Sequence, residues 1–144
     1  MKKRVPTVYK YNQYKRKVLG TFIDADGYYW YQCVDLIRNY CREVYNYNMG
    51  RLPRAKDANL ITTFPWWKWI EITDGINCKP WDIGITWGTI NWHIFIIDKV
   101  YNEGYDILEQ NWSWKKSWAK IPWNEIRIRK CKWGTFIKWF RYVW

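Results

Sequence analysis

His93-Ile94-Phe95-Ile96-Ile97-Asp98 and Tyr105-Asp106-Ile107-Leu108-Glu109-Gln110-Asn111 flank the turn segment Val100-Tyr101-Asn102-Glu103-Gly104. The apolar runs on either side predict strands over Asn91–Asp98 and Tyr105–Trp112, and the polar, glycine-containing link predicts an antiparallel hairpin centred near Asn102. Folding about that centre sets His93 opposite Asn111. Glu109 stands two residues from Asn111, on the same strand face, so it reaches His93 as a diagonal neighbour. A lone histidine on an apolar strand is more often a satisfied core residue than a base. The carboxylate and amide at the matching cross-strand positions argue for the base, because they can fix its tautomer and orientation.

Outward from this hairpin, more strands are predicted at Trp81–Trp87, Glu125–Lys132 and Phe136–Tyr142, the last two joined as a hairpin by Trp133-Gly134-Thr135. The first half of the chain reads as helical. Val34, Ile37, Cys41 and Val44 fall on one face of a helix over Tyr31–Tyr47, ended by Met49-Gly50-Arg51-Leu52-Pro53. A shorter helix is expected over Asp57–Thr63, stopped at Phe64-Pro65. The basic opening, residues 1–20, reads as an irregular arm or short helix ahead of one domain over 21–144. Helices first and an antiparallel sheet after make an α+β fold.

Cys33 sits at the start of the long helix, where backbone N–H groups and the helix dipole favour a thiolate. His93 is the only histidine in the chain. One thiol, one base and two orienting groups (Glu109, Asn111) point to a nucleophilic hydrolase. Just before Cys33, Asp24-Ala25-Asp26-Gly27-Tyr28 alternates carboxylates ahead of a glycine, and Asp35 follows on the helix. Three acids converging near a helix start suggest a calcium loop with oxygen ligands, against the plainer reading of an Asx-capped turn.

The chain has 144 residues, four cysteines and a net charge of +11. The cysteines fit no metal-finger spacing, and Cys41 and Cys78 read as buried thiols. Residues 1–20 carry +7, residues 112–144 carry +8, and the span between them carries −4. The ends are therefore suited to a polyanion, or else form a solvated surface that keeps the protein soluble. Fourteen tryptophans, interleaved with lysine, suit stacking on sugars or bases, although most are expected in the core or the sheet. No apolar run approaches the ~18 residues of a membrane span. The basic start lacks the apolar stretch of a signal peptide.

The segments DADGYYWYQCVDL (24–36), PWDIGI (80–85), WHIFIID (92–98) and ILEQNW (107–112) resemble the CHAP family, the cysteine- and histidine-dependent amidohydrolases/peptidases. The likeness runs from about Thr21 to Tyr142 and is nearest to the calcium-binding CHAP domains of staphylococcal phage endolysins. It implies a papain-like fold, with N-terminal helices packed on a C-terminal antiparallel sheet. By the same resemblance Cys33 is the nucleophile, His93 the general base and then acid, and Glu109 and Asn111 orient the imidazole. Calcium would be held by the side chains of Asp24, Asp26 and Asp35 and by carbonyls of Tyr28 and Trp30. Trp30 departs from the histidine expected there, and Trp81 stands where the family usually has glycine.

The implied activity is cleavage of peptidoglycan, as an endopeptidase or amidase. The implied locations are the bacterial cell wall, reached from the host cytoplasm on release, or the phage virion, mounted among tail proteins. Anionic wall polymers are expected partners and nucleic acid is not. The alternative from a different class is a non-catalytic, basic, Trp-rich module that binds anionic wall polymer or nucleic acid.

Overall fold

The computed structural model describes residues 8–23, 33–50, 52, 55–59, 63–72, 78–86, 93–110, 125–133 and 136–143. Helices α1 (Val8–Val18) and α2 (Cys33–Tyr45) precede strands β1 (Trp69–Ile72), β2 (Ile83–Thr86), β3 (His93–Val100), β4 (Gly104–Glu109), β5 (Arg127–Lys132) and β6 (Phe136–Tyr142). All six strands form one antiparallel sheet in the order β1-β6-β2-β3-β4-β5. The result is the expected α+β arrangement of helices packed on an antiparallel sheet. No helix among the described residues is long and apolar enough to cross a membrane.

The apolar stripe of α2 is buried as its periodicity predicts, with Val34, Ile37, Cys41 and Val44 all in the core. Its end comes earlier than Met49. Asn46 adopts a left-handed backbone (φ 53°), and its amide closes on the Arg42 carbonyl at 3.1 Å, a single-residue cap that asparagine tolerates. Residues 8–18 are a helix, not an irregular arm. Tyr11, Tyr14 and Val18 lie in the main core with α2 and the sheet. The Tyr11 hydroxyl donates to Asp98 Oδ1 (2.9 Å), and Lys15 reaches the same oxygen at 3.0 Å, tying α1 to β3.

Two other expectations need correction. Among the described residues of 57–63, Asp57 ends a 3₁₀ turn (Ala55–Asp57), and Ala58, Asn59 and Thr63 are not helical. The Asn59 side chain instead donates to the Asp57 carbonyl (3.1 Å), the local competition that keeps asparagine out of helices. A seven-residue segment also gains too little to offset helix nucleation. At the C-terminus, β5 and β6 are not a hairpin: β5 pairs with β4, and β6 lies between β1 and β2.

That topology requires the sheet to curl. In a flat sheet β6 and β4 would lie three spacings apart, about 14 Å, yet the rings of Trp139 on β6 and Tyr105 on β4 stand 6.1 Å apart. Phe95 on β3 joins them, 6.1 Å from Trp139. Gly84 of β2 lies directly between, paired to Phe95 on one side and Trp139 on the other. A Cβ there would come within 2.8 Å of both rings. Glycine at this position lets the rings meet over β2 and fill the concave face with a second core of Cys78, Phe95, Ile97, Tyr105, Ile107 and Trp139.

The convex face carries Ile83, Ile85, Ile94, Ile96 and Leu108 against the helices. Trp81 has a positive φ of 77°, the left-handed region where glycine is at ease. Its amide still donates to the Ile97 carbonyl (2.8 Å), and its ring packs 6.0 Å from Tyr11. Asp82 beside it is buried under a two-pronged bond from Arg141 (2.9 and 2.8 Å). Burial pushes its carboxyl above the usual range despite the guanidinium.

Among the described tryptophans, Trp69 and Trp139 are fully buried, whereas Trp66 and Trp67 are 68% and 56% exposed. All four cysteines are free thiols, and Cys41 and Cys78 are buried as expected.

Candidate functional site

The β3–β4 register follows the turn. Ile96 faces Leu108 and Ile97 faces Ile107, centred on residue 102, before a bulge at Asp98 shifts the pairing near the turn. Alternation along these strands puts His93 on the same concave face as Phe95 and Ile97, and Glu109 on that face with Ile107 and Tyr105. His93 Nε2 lies 2.9 Å from Glu109 Oε1, the diagonal contact that the hairpin reading predicts.

Cys33 opens α2, half-buried, and its thiol lies within interaction range of the His93 ring at the start of β3, where it raises the imidazole's proton affinity. Cys33, His93 and Glu109, drawn from a helix and two strands, therefore meet in a row. Since Glu109 occupies Nε2, Nδ1 is the ring nitrogen left for the thiol.

The electrostatics of this row are strongly perturbed. Burial opposes a charge on His93, but hydrogen bonds to Cys33 and Glu109 outweigh it and raise the imidazole to about 9. Burial would raise Glu109, yet bonds from His93 and Arg129 pull it down to about 2. An ionised carboxylate only accepts hydrogen bonds, so His93 Nε2 must carry a proton. A proton leaving the thiol can then go only to Nδ1, the geometry a general base requires.

Sequence reasoning missed how Glu109 is held. Its side chain is fully buried, and Arg127 Nε and Arg129 Nε both donate to Oε2 (2.9 and 2.7 Å) while Arg129 Nη2 donates to Oε1 (3.1 Å). In β5 Arg127 pairs directly with Glu109, and Arg129 pairs with Ile107 on the same face. The alternation Arg127-Ile128-Arg129 was the available signal. It was unreadable while β5 was assigned to β6.

Gln110 is the second missed residue. Its buried amide accepts from the Ile23 amide and donates to the Ile23 carbonyl, both at 2.7 Å. It thereby pins the backbone just ahead of the acidic segment.

Asn111 and Gln32 lie outside the described residues, as do Asp24, Asp26, Tyr28 and Trp30 of the expected calcium site. Asp35 is described: it is buried (1% exposed) in the first turn of α2 and is not without a partner. Among the described residues no group of three or more His, Cys, Asp or Glu side chains is placed to hold a metal.

No protein-family model matches this sequence, and no curated protein matches it. Its fold is similar to the crystal structure of a wild-type endolysin, LysIME-EF1, with a TM-score of 0.72 at 18% identity. The likeness covers 97% of this chain and 66% of the endolysin, so the chain spans just under two thirds of that protein. An α+β fold similar to that of an endolysin thus carries a thiol, an imidazole and a buried carboxylate in a row at one end of strands β3 and β4.

Proposed function

We propose that the protein is a peptidoglycan hydrolase of the CHAP type, with Cys33 as nucleophile, His93 as general base and acid, and Glu109 orienting the ring. The observation that carries this reading is the row itself: a thiol within interaction range of the only histidine in the sequence, whose Nε2 is anchored on a buried carboxylate 2.9 Å away. The fold's likeness to an endolysin supports a wall substrate, and the resemblance of segments 24–36, 80–85, 92–98 and 107–112 to CHAP domains supports a thiol mechanism.

Acyl transfer then follows. Raised to about 9, the His93 imidazole already holds the thiol proton on Nδ1 at neutral pH, and the Cys33 sulfur attacks an amide carbonyl of the wall peptide. The imidazolium, held by Glu109, returns the proton to the leaving amine, and a thioester to Cys33 remains. Water, deprotonated by His93, cleaves the thioester and frees the acid. Asn111 shares the orienting role. The Cys33 amide at the helix start and Gln32 are the candidates for stabilising the oxyanion. The bond broken is a peptide cross-link or the amide joining glycan to peptide. A lysin released into the wall and a virion-mounted tail enzyme both suit the activity.

The oxygen donors Asp24, Asp26 and Asp35, with the carbonyls of Tyr28 and Trp30, form a donor set chemically suited to calcium. Bound there, the ion would brace the segment ahead of Cys33 without touching substrate.

Cys33→Ala is the test. Purified wall should yield new amine and carboxyl termini by mass spectrometry with the native protein and none with the variant, whose binding to wall persists. Hydrolysis retained by Cys33→Ala would overturn the assignment.

A further inference from the structure

The row Cys33–His93–Glu109 does not end at the carboxylate. Glu109 is enclosed on its far side by β5, where Arg129 grips both oxygens and Arg127 one. We propose that Arg129 is a positioning residue for this site, its planar fork fixing the Glu109 carboxylate with Oε1 toward His93 and its charge limiting how strongly Glu109 stabilises the imidazolium. The kinetic side of this proposal rests on the hydrolase reading; the electrostatic side does not.

Three features favour a positioning role over a simple clip between strands. A clip needs one contact, whereas Nε and Nη2 of Arg129 bond separate oxygens and so fix the rotation of the carboxylate plane. The oxygen shared with the fork through Nη2 is the one facing His93. A buried carboxylate whose only partner was the imidazole would also hold the imidazolium proton harder than an acid that must release it to the leaving amine.

Among the described residues, the charged groups facing Glu109 are His93 from β3 and Arg127 and Arg129 from β5, and Cys33 of α2 lies within reach of His93. Tyr105 and Cys131 lie within electrostatic reach of Arg129. Arg129 is 42% exposed at its side chain, so water also solvates the guanidinium while its fork stays on Glu109.

His93 is the sole histidine, so its ring signals titrate unobscured by NMR. Arg129→Gln removes a cation while Arg127 still holds Oε2, and should raise the His93 midpoint by about half a pH unit or more. Arg129→Lys keeps the charge and loses the fork. Its midpoint should stay within about 0.3 unit of the native value, while kcat on wall substrate falls about ten-fold with KM changed less than two-fold.

An unmoved midpoint in folded Arg129→Gln, or native kcat in Arg129→Lys, would reduce the arginine to a clip and overturn the proposal. Should Arg129→Gln fail to fold, the kcat and KM of Arg129→Lys decide alone. Absence of wall hydrolysis by the native protein would sink the hydrolase reading instead, and the NMR midpoint would still judge Arg129.

Discussion

Glu109→Gln offers the most direct test of the charge row, because shape is kept while one buried charge is removed. In the native protein the carboxylate accepts from His93 and from three donor nitrogens of Arg127 and Arg129. An amide can accept through only one oxygen, and its own N–H₂ would face a donor. Breaking a buried ion pair by removing one partner costs about 3–5 kcal/mol. Both arginines are partly exposed and can rehydrate, which places the cost at about 2–3 kcal/mol.

Proton linkage gives a second route to the magnitude. Glu109 is lowered from 4.5 to about 2 on folding, a difference worth about 3 kcal/mol. Because the folded value is depressed, that stability is fully present above pH 4.5 and is lost as pH falls through about 2. Urea unfolding of both proteins at pH 7, 4.5 and 2.5 should therefore show a gap of about 2–3 kcal/mol at the two higher values, narrowing clearly at the lowest. A gap that stays constant down to pH 2.5 would mean that Glu109 is not anchored as an ion, and the proton path through Nδ1 would lose its basis.

Two further outcomes follow from the fold and the proposed metal. Gly84→Ala should destabilise by about 2–3 kcal/mol in urea unfolding, because the new methyl meets Trp139 and Phe95 within 2.8 Å in a filled core; a neutral result would show that the sheet flattens to admit it. If calcium braces the segment ahead of Cys33, chelation should lower the melting temperature by several degrees and added calcium should restore it, whereas an unchanged melt would argue for a turn without an ion.

The parts of the fold legible in the sequence were those whose partners are close along the chain. The stripe of α2 follows from a 3.6-residue period within one segment. The His93–Glu109 contact follows from a turn of known centre, since pairing across a hairpin is fixed by counting. Where the partner is distant, spacing alone does not find it, and the pairing of Cys33 with His93 rests on the CHAP resemblance. Strand β1 was not read at all; its partner β6 lies some 70 residues on. Trp133-Gly134-Thr135 has the composition of a tight turn, but β5 pairs with β4 while β6 lies between β1 and β2. With β5 misassigned, Arg127 and Arg129 read only as part of a basic tail. Trp81 shows the converse: its backbone has the conformation of the expected glycine, held by bonds that do not depend on the side chain.

The same logic changes the meaning of the uneven charge. Taken along the chain, basic ends and an acidic middle suggest an exposed surface for a polyanion. In space, buried acids of the middle draw bases from the ends: Glu109 takes Arg127 and Arg129, Asp82 takes Arg141, and Asp98 takes Lys15. Each pair joins segments far apart in sequence, and each acid is nearly or wholly buried. An unpaired carboxylate at any of these positions would be costly to bury, so the pairs favour the one topology that brings β5 to β4 and β6 to β2. Four bases, Lys15, Arg127, Arg129 and Arg141, thus act inside the protein, in fixing the fold and, at Glu109, in completing the site. Among the described residues, the exposed Trp66 and Trp67 stand outside these pairs, and they are what the proposed reading offers to an anionic wall polymer.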